Sequence, residues 1–262
     1  MMQPIVKPGE FTALDQFIFD SWGYFVIPNV LNPDEVVECL AASQRLHEGK
    51  PKKVSYQVGN GYATEPSLER LIDHPAALPK VRGLYGSDNV ILQSGWCTVQ
   101  PAHSPHGGWH QDGSSAFDFK LLGHPIPLLQ LRVSYILTDQ SQPGMGNMEM
   151  IPGSHRSRYE MPLSARKGEE DCPIRHIVCA PAGSALVFHN AVWHRSHEHL
   201  LDYDRYIMHY IYSPPWARYS DRFENDKVFM EQTTPVRRAM LGEFEKPDST
   251  YAGGYKTPLY EK

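Results

Sequence analysis

Residues 107–113, Gly107-Gly108-Trp109-His110-Gln111-Asp112-Gly113, carry a histidine and an aspartate separated by one residue. On an extended segment, side chains two residues apart point to the same side of the chain. This spacing would present an imidazole and a carboxylate to one cation, which is two-thirds of a facial triad of two histidines and one carboxylate. Such a triad leaves coordination positions open and suits non-haem Fe(II) oxygen chemistry. If a third ligand lies downstream, the stretch predicts an iron oxygenase.

The composition argues against several classes of protein. Of the 262 residues 41% are hydrophobic, yet there is no run of about 18 or more apolar residues that could span a bilayer. The net charge of −5 and the pI near 6.2 give no electrostatic reason to expect nucleic acid or an anionic membrane as a partner. The N-terminus lacks the apolar core of a secretory signal, and the four cysteines are scattered without a CxxC motif, which indicates reduced thiols. We therefore expect a soluble, cytoplasmic protein.

The pattern of apolar residues predicts helices first and strands later. Within about residues 10–85, apolar residues recur at helical spacing from Phe11 to Ile18, and the segment 24–28 predicts a short strand. Asn32 is a suitable N-cap for a second helix that should extend to about Leu46. From residue 89 onward the period changes to that of strands, and Pro and Gly (22 and 20 residues) punctuate them as turns would.

The segment 128–139 alternates most clearly. One face is apolar, with Leu129, Leu131, Val133, Tyr135 and Leu137, and the other carries Gln130, Arg132, Ser134 and Thr138 together with Ile136. A polar face of a strand normally lies in water, but this one could instead line a cavity, and the sequence leaves both possibilities open.

The organisation of the chain predicts a single domain over residues 1–262. We see no internal repeat, low-complexity tract or linker. The expected parts are the N-terminal helical part, a core over about 89–213 and a C-terminal extension over 214–262. The N-terminal helices would wrap on a β-barrel or sandwich.

Thirteen histidines offer several candidates for a third metal ligand. His103, His106 and His110 are close enough in sequence to form a local zinc cluster. A second group of histidines lies about eighty residues downstream of His110, and a barrel could bring the two segments together on adjacent strands. His194 stands out there because Arg205 opens a strand soon after it. If the intervening loop reverses the chain, Arg205 can face the same pocket, and a buried arginine needs an anion that its planar fork can match.

Several motifs in the same order resemble the phytanoyl-CoA dioxygenase family. These are the His-x-Asp pair, the stretch Ile151-Pro152-Gly153-Ser154-His155, and His194 with a serine two residues on and an arginine eleven residues on. The N-terminal segment 20–31 also resembles the opening of that family, so the likeness covers about residues 10–213. It implies a mainly β protein with flanking helices, whose core is a double-stranded β-helix (a cupin-like jelly roll) with N-terminal helices packed on one sheet.

The resemblance also implies a set of site residues. His110, Asp112 and His194 would be the ligands of Fe(II), and His189 would not. Arg205 would bind the distal carboxylate of the cosubstrate 2-oxoglutarate, with the Ser196 hydroxyl as a second contact. O₂ would complete the reaction, which releases succinate and CO₂.

One position departs from the family pattern and draws attention to neighbouring residues. Where some members carry a bulky aromatic facing the cosubstrate, this chain has Ser134, which leaves more room for a ligand. Gln130 and Arg132 share its face and are candidate substrate contacts, with Trp216. Arg132 could equally be a structural ion pair or an anchor for a carboxylate or phosphate of the substrate.

Two further segments are candidate lids beside the metal. One is 113–127, with Phe117, Phe119 and Leu121, and the other is 214–223, which mixes aromatic residues with arginines.

The expected reaction is oxidation of a small to mid-sized organic molecule at a C–H bond. Family halogenases replace the carboxylate ligand with a small residue, so Asp112 favours hydroxylation, or desaturation, epoxidation or ring formation, over chlorination. Members of the family act on amino acids, osmolytes and natural products of secondary metabolism. Two alternatives stay open, namely a non-catalytic jelly-roll binding protein and a zinc hydrolase built on His103, His106 and His110. The expected protein is a monomer or homodimer.

Overall fold

The computed structural model of the chain describes residues 3–114, 118–217 and 225–243. The helices are α1 (Ala13–Trp22), α2 (Pro33–Leu46), α3 (Pro66–Glu69), α4 (Leu78–Tyr85), α5 (Leu163–Arg166), α6 (Lys227–Gln232) and α7 (Pro235–Met240). The strands are β1 (Tyr24–Ile27), β2 (Tyr56–Gly59), β3 (Ile91–Gln100), β4 (Leu131–Ile136), β5 (Met148–Met150), β6 (His176–Val178), β7 (Ala185–His189), β8 (His194–Ser196) and β9 (Arg205–Ser213).

The N-terminal cap of α2 explains why this helix has the bounds expected from the sequence. The Asn32 side chain accepts hydrogen bonds from the backbone N–H groups of Asp34 and Glu35, and the Glu35 carboxylate accepts one from the backbone of Asn32. This reciprocal arrangement satisfies N–H groups that have no partner within the helix. Pro33 occupies the first helical position, where its missing N–H has no effect.

The strands form two antiparallel sheets. The large sheet has the order β1-β7-β4-β9-β3-β2, and the small sheet has the order β6-β5-β8. Side chains of both sheets pack together in one apolar cluster, which joins Leu186 and Phe188 of the large sheet to Met148 and Met150 of the small one. The predicted mainly β fold with flanking helices is confirmed, and its core is a pair of facing sheets without a closed barrel.

The central strands of the large sheet, β7, β4 and β9, are buried on both faces. One face packs against the N-terminal helices, because Val133 and Tyr135 of β4 and Tyr210 of β9 share a core cluster with residues of α1, α2, α3 and α4. The opposite face, called the interior face below, turns toward the small sheet. Its polar residues are therefore enclosed, and Ser134 has no exposed surface. This settles the choice that the alternation of segment 128–139 left open: the polar face lines the interior.

Replacing Asn32 with alanine is expected to lower the free energy of unfolding by about 1 kcal/mol, because two backbone N–H groups lose their acceptor. Denaturant unfolding of the purified protein measures the change. Val37→Ala is the matched control, since Val37 lies in the same helix and is 67% exposed; its effect should stay below about 0.5 kcal/mol. Equal losses in the two variants would contradict the role of the cap.

Candidate metal and cosubstrate site

Two backbone hydrogen bonds bring the His110 segment beside β8. The N–H of His110 donates to the carbonyl of His194 at 3.0 Å, and the N–H of His194 donates to the carbonyl of His110 at 3.0 Å. The N–H of Asp112 donates to the carbonyl of Asn190 at 2.8 Å. His110 is thus held in register with the strand that carries His194, whereas Asp112 lies in the turn that follows and not on the extended segment expected from the His-x-Asp spacing.

Both imidazole rings turn the same nitrogen toward the backbone. Nδ1 of His110 lies 2.9 Å from the carbonyl oxygen of Gly108, and Nδ1 of His194 lies 2.9 Å from that of Val192. A carbonyl oxygen only accepts hydrogen bonds, so each Nδ1 carries the proton and each Nε2 keeps its lone pair. Such a backbone contact fixes the ring of a metal-binding histidine.

The lone pairs of the two rings converge on the Asp112 carboxylate. Nε2 of His110 lies 3.8 Å from Oδ1 of Asp112, and Nε2 of His194 lies 3.7 Å from Oδ2. One potential ligand atom from each residue lies within 4.8 Å of the other two. Nε2 of His194 is buried and has no hydrogen-bond partner in the described part of the chain. A buried lone pair without a partner fits a cation, so these three residues suit a metal ion.

The electrostatics around His194 and Asp112 keep these two groups in the protonation states that a metal requires. Burial lowers the pKa of His194 to about 3, so its ring is neutral. Burial alone would raise the pKa of Asp112, but Arg132, followed by His194 and His110, brings it below its usual value. Neutral imidazole and ionised carboxylate are the forms that bind metals.

Arg132 lies directly behind this carboxylate. Its Nη2 forms an ion pair with Oδ2 of Asp112, and its guanidinium lies 4.9 Å from the ring centre of Trp96 and 5.1 Å from that of Phe188. Arg132 is 8% exposed. Of the two roles that the sequence left open, the structure contains the ion pair, and it is with a candidate metal ligand.

Arg205 lies on the same interior face at the start of β9. It is 2% exposed, and its Nε and Nη2 donate to the carbonyl of Gly146 at 2.8 and 2.6 Å. Within residues 3–114, 118–217 and 225–243, no carboxylate lies within ion-pair distance of it. Burial lowers the pKa of Arg205 to about 10, because a cation without a counter-charge is poorly accommodated in a dry interior. The geometry suits an incoming carboxylate.

The two candidate serines differ in their surroundings. Ser196 is half-buried in β8, two residues after His194 and opposite Met148 of β5. The hydroxyl of Ser134 is 2.7 Å from Nδ1 of His209, so it is engaged with a neighbouring strand. Ser134 would therefore affect a bound ligand by orienting the ring of His209, not by direct contact.

His209 and Trp96 are interior residues that the sequence reasoning missed. Their rings are 5.5 Å apart, and the two residues are register partners on β9 and β3. Burial, and after it the charges of Arg132 and Arg205, hold the pKa of His209 well below its usual range. The sequence did contain a signal for His209. It lies four residues after Arg205 on one strand, so the two side chains point to the same face.

The remaining substrate candidates lie apart from one another. The Gln130 amide donates to the side-chain oxygen of Gln93, and both residues are near the end of β4 that carries Arg132. Trp216 is 61% exposed, so the structure does not bring it into the interior. Of the two candidate lids, residues 115–117 and 218–224, including Phe117, lie outside the described residues. Phe119 is buried, whereas Leu121 is exposed.

The histidines expected as a local zinc cluster are separated. His103 pairs with Asp202 at 2.8 Å, and His106 lies beside Glu149 and His197. His110 instead joins Asp112 and His194. The hypothesis of a zinc site on His103, His106 and His110 therefore has no support in the geometry.

His106, Glu149 and His197 form a second group with the composition of a metal site. Its carboxylate is already neutralised, because Arg195 forms an ion pair with Oε2 of Glu149 and Arg175 lies 3.4 Å from Oε1. Two arginines beside one glutamate disfavour a cation, so this group is an ionic network. His189 lies elsewhere, against His155 at 5.0 Å between ring centres.

Comparison with known proteins identifies the family. A sequence profile described as phytanoyl-CoA dioxygenase matches residues 19–205. The chain belongs to the phytanoyl-CoA dioxygenase family. Membership confirms the expected class of enzyme, an iron- and 2-oxoglutarate-dependent oxygenase. No curated protein sequence matches the chain significantly.

Solved structures with a similar fold confirm the cupin-like architecture of this family member. HygX from Streptomyces hygroscopicus, crystallised with nickel and 2-oxoglutarate, is 21% identical, with 80% of this chain and 89% of HygX covered and a TM-score of 0.69. EctD from S. alaskensis is 20% identical over 87% of this chain and 89% of EctD, with a TM-score of 0.65. SnoK, a non-haem α-ketoglutarate-dependent carbocyclase from nogalamycin biosynthesis, is 22% identical over 78% of this chain and 85% of SnoK, with a TM-score of 0.62.

None of the helices in the described ranges is both long enough and apolar enough to cross a membrane.

Replacing Arg205 with methionine is expected to raise the free energy of unfolding of the ligand-free protein by about 1 kcal/mol, because it removes a buried cation that lacks a counter-charge. Thermal or denaturant unfolding without metal or 2-oxoglutarate measures this. Arg237→Met is the matched control and should destabilise, since Arg237 pairs with Asp73 at 2.8 Å and Glu69 at 2.9 Å. A loss of stability in the Arg205 variant as large as in the control would show that Arg205 already has an anionic partner.

Proposed function

We propose that this chain oxidises a C–H bond of a small to mid-sized organic molecule, with Fe(II) held by His110, Asp112 and His194. One observation supports the proposal above all. A cluster of two histidines and a carboxylate, with His194 buried and His110 exposed, lies beside β8 of the small sheet. The interior face of the large sheet carries, on β9, a buried arginine without a carboxylate partner among the described residues. A 2-oxoglutarate molecule has one carboxylate for each of these positions.

The oxidising chemistry would come from the cofactor and the cosubstrate, not from side chains of the protein. Bound Fe(II), with 2-oxoglutarate and O₂, supplies the oxidant that removes hydrogen from the substrate, and the cosubstrate leaves as succinate and CO₂. HygX has been crystallised with iron and with nickel plus 2-oxoglutarate, which agrees with the cofactors expected here.

The residues of the chain bind, orient and exclude water. The backbone carbonyls of Gly108 and Val192 orient the rings of His110 and His194. Arg205 would bind the distal carboxylate of 2-oxoglutarate, with the Ser196 hydroxyl as a second contact. A bound dicarboxylate would give the guanidinium the counter-charge that burial denies it.

The absence of a side chain at Gly146 supports the position of Arg205 proposed for binding the cosubstrate. A Cβ on Gly146 would lie 3.2 Å from Nε of Arg205 and 2.9 Å from Oε1 of Gln100, and the φ of this residue is +71°. Any larger residue would push the guanidinium out of place, so a glycine here keeps Arg205 in its position on the interior face.

The carboxylate of Asp112 favours hydroxylation, or another oxidation at carbon, over halogenation. Asp112 would hold the metal with its carboxylate, whereas family halogenases carry a small residue in place of this ligand. The Gln93–Gln130 amide pair is a candidate substrate contact beside Arg132, whereas the exposure of Trp216 makes it a weaker one.

The relatives suggest a class of substrate. HygX has been crystallised with hygromycin B, and SnoK belongs to nogalamycin biosynthesis. We infer a natural-product type of small molecule for this chain. A single domain, a monomeric or homodimeric state, a cytoplasmic location and no interaction with nucleic acid stay predictions from the sequence.

Addition of Fe(II) and 2-oxoglutarate without O₂ should produce a weak visible charge-transfer band, which shows that metal and cosubstrate share one site. His194→Ala should abolish the band, because it removes a ligand. His103→Ala should leave it intact, since His103 pairs with Asp202 away from the group. Admission of O₂ should then release succinate from the parent and not from His194→Ala. A band of equal strength in parent and His194→Ala would refute the assignment.

A further inference from the structure

We propose that Arg132 is a positioning residue for the metal-binding carboxylate. Its guanidinium holds Oδ2 of Asp112 and thereby presents Oδ1 to the cation as a single, fixed ligand. The inference rests on the proposed function, because it assumes that Asp112 binds a metal.

The location of Arg132 restricts it to this contact. It projects from the interior face of β4, where it is the register partner of Phe188 on β7 and of Ile211 on β9. Its guanidinium lies over the rings of Trp96 and Phe188, at 4.9 and 5.1 Å from their centres. Cation–π contacts of this kind hold an arginine in place when it is desolvated. Two strands of the large sheet thus fix the guanidinium beside the carboxylate.

The two oxygens of Asp112 therefore have different surroundings. Oδ2 lies 3.7 Å from Nε2 of His194 and also forms the ion pair with Nη2 of Arg132, whereas Oδ1 lies 3.8 Å from Nε2 of His110 and has no arginine beside it. A carboxylate that is held by neither arginine nor metal can rotate and can chelate through both oxygens. The ion pair with Arg132 opposes this, because it draws Oδ2 toward a guanidinium that the rings of Trp96 and Phe188 hold in place.

Arg132 also exerts an opposing effect on the metal. It is a positive charge close to a cation site, and like charges repel strongly in a dry interior. If charge alone mattered, removal of Arg132 would strengthen metal binding. If orientation dominates, removal would weaken it. Residues that orient metal ligands typically contribute about 10- to 100-fold to metal affinity, and we expect this effect to exceed the repulsion.

The ion pair with Asp112 argues against the other role considered for Arg132. An arginine that anchors a carboxylate or phosphate of the substrate must offer a free edge of its guanidinium to the pocket. Asp112 pairs with Nη2 of Arg132, and the rings of Trp96 and Phe188 lie against the guanidinium. An arginine that served only the substrate would leave the affinity for the metal unchanged.

Anaerobic titration of the metal-free enzyme with Co(II) tests the proposal. Arg132→Met should bind Co(II) about tenfold or more weakly than the parent. Arg132→Lys keeps the charge but lacks the fork, so it should fall between the two. Arg237→Met is the matched control, because it removes a half-buried, ion-paired arginine of α7, and it should bind Co(II) as the parent does. If Arg132→Met does not fold, Arg132→Lys decides the question by the same comparison.

A second measurement separates orientation from general damage to the fold. With saturating Fe(II) and 2-oxoglutarate and without O₂, the charge-transfer band of Arg132→Met should move to longer wavelength. Its carboxylate no longer shares charge with a guanidinium and donates more strongly to the metal. A merely structural role would leave the band in place.

The outcomes distinguish this proposal from the function on which it rests. Co(II) binding by Arg132→Met as tight as, or tighter than, that of the parent would overturn the positioning role. If His194→Ala bound Co(II) as tightly as the parent does, the metal site itself would be refuted.

Discussion

The site depends on the pair of backbone hydrogen bonds that joins His110 to His194. These bonds connect a segment before β4 to a strand that follows β7, and they place the two imidazoles 4.2 Å apart between ring centres. Neither histidine is near the other in sequence, so the antiparallel register is what creates the group. A shift of one residue in that register would turn one of the two side chains away from the other.

The second constraint is charge in an enclosed space. The interior face of the large sheet carries Arg132 and Arg205, and Asp112 lies opposite. Buried charges persist only where a partner or a function compensates for their desolvation. Arg132 has such a partner in Asp112. Arg205 has only a backbone carbonyl within the described chain, and its low pKa reflects the same imbalance. The burial of Arg205 without a described counter-charge supports the proposal that it binds a carboxylate ligand.

Much of the fold followed from local patterns. The helix from Pro33 to Leu46 could be predicted because the residues that form its N-terminal cap are neighbours in the sequence. The change to a strand period after residue 89 agrees with the start of β3 at Ile91, and the strand expected to open at Arg205 is β9. The alternation in β4 was also visible, but whether its polar face met water or an interior depended on a second sheet formed by three short strands.

The order of the motifs was enough to name His110, Asp112, His194 and Arg205 as candidate site residues. It did not predict the contacts that these residues make with Arg132 and with their neighbours. Arg132 had two equal interpretations because its partner comes from a different segment. His209 went unnoticed since nothing local separates a buried histidine from an exposed one. The cluster of His103, His106 and His110 illustrates the converse, because nearness in sequence did not bring its members together in space.

A crystal structure of the enzyme with Co(II) and 2-oxoglutarate, grown without O₂, tests the account most directly. Anomalous scattering locates the metal without assumption. We expect one strong peak bounded by Nε2 of His110, Nε2 of His194 and an oxygen of Asp112, with one carboxylate of 2-oxoglutarate on the guanidinium of Arg205. A peak at His106, Glu149 and His197, or cosubstrate density away from Arg205, would contradict it.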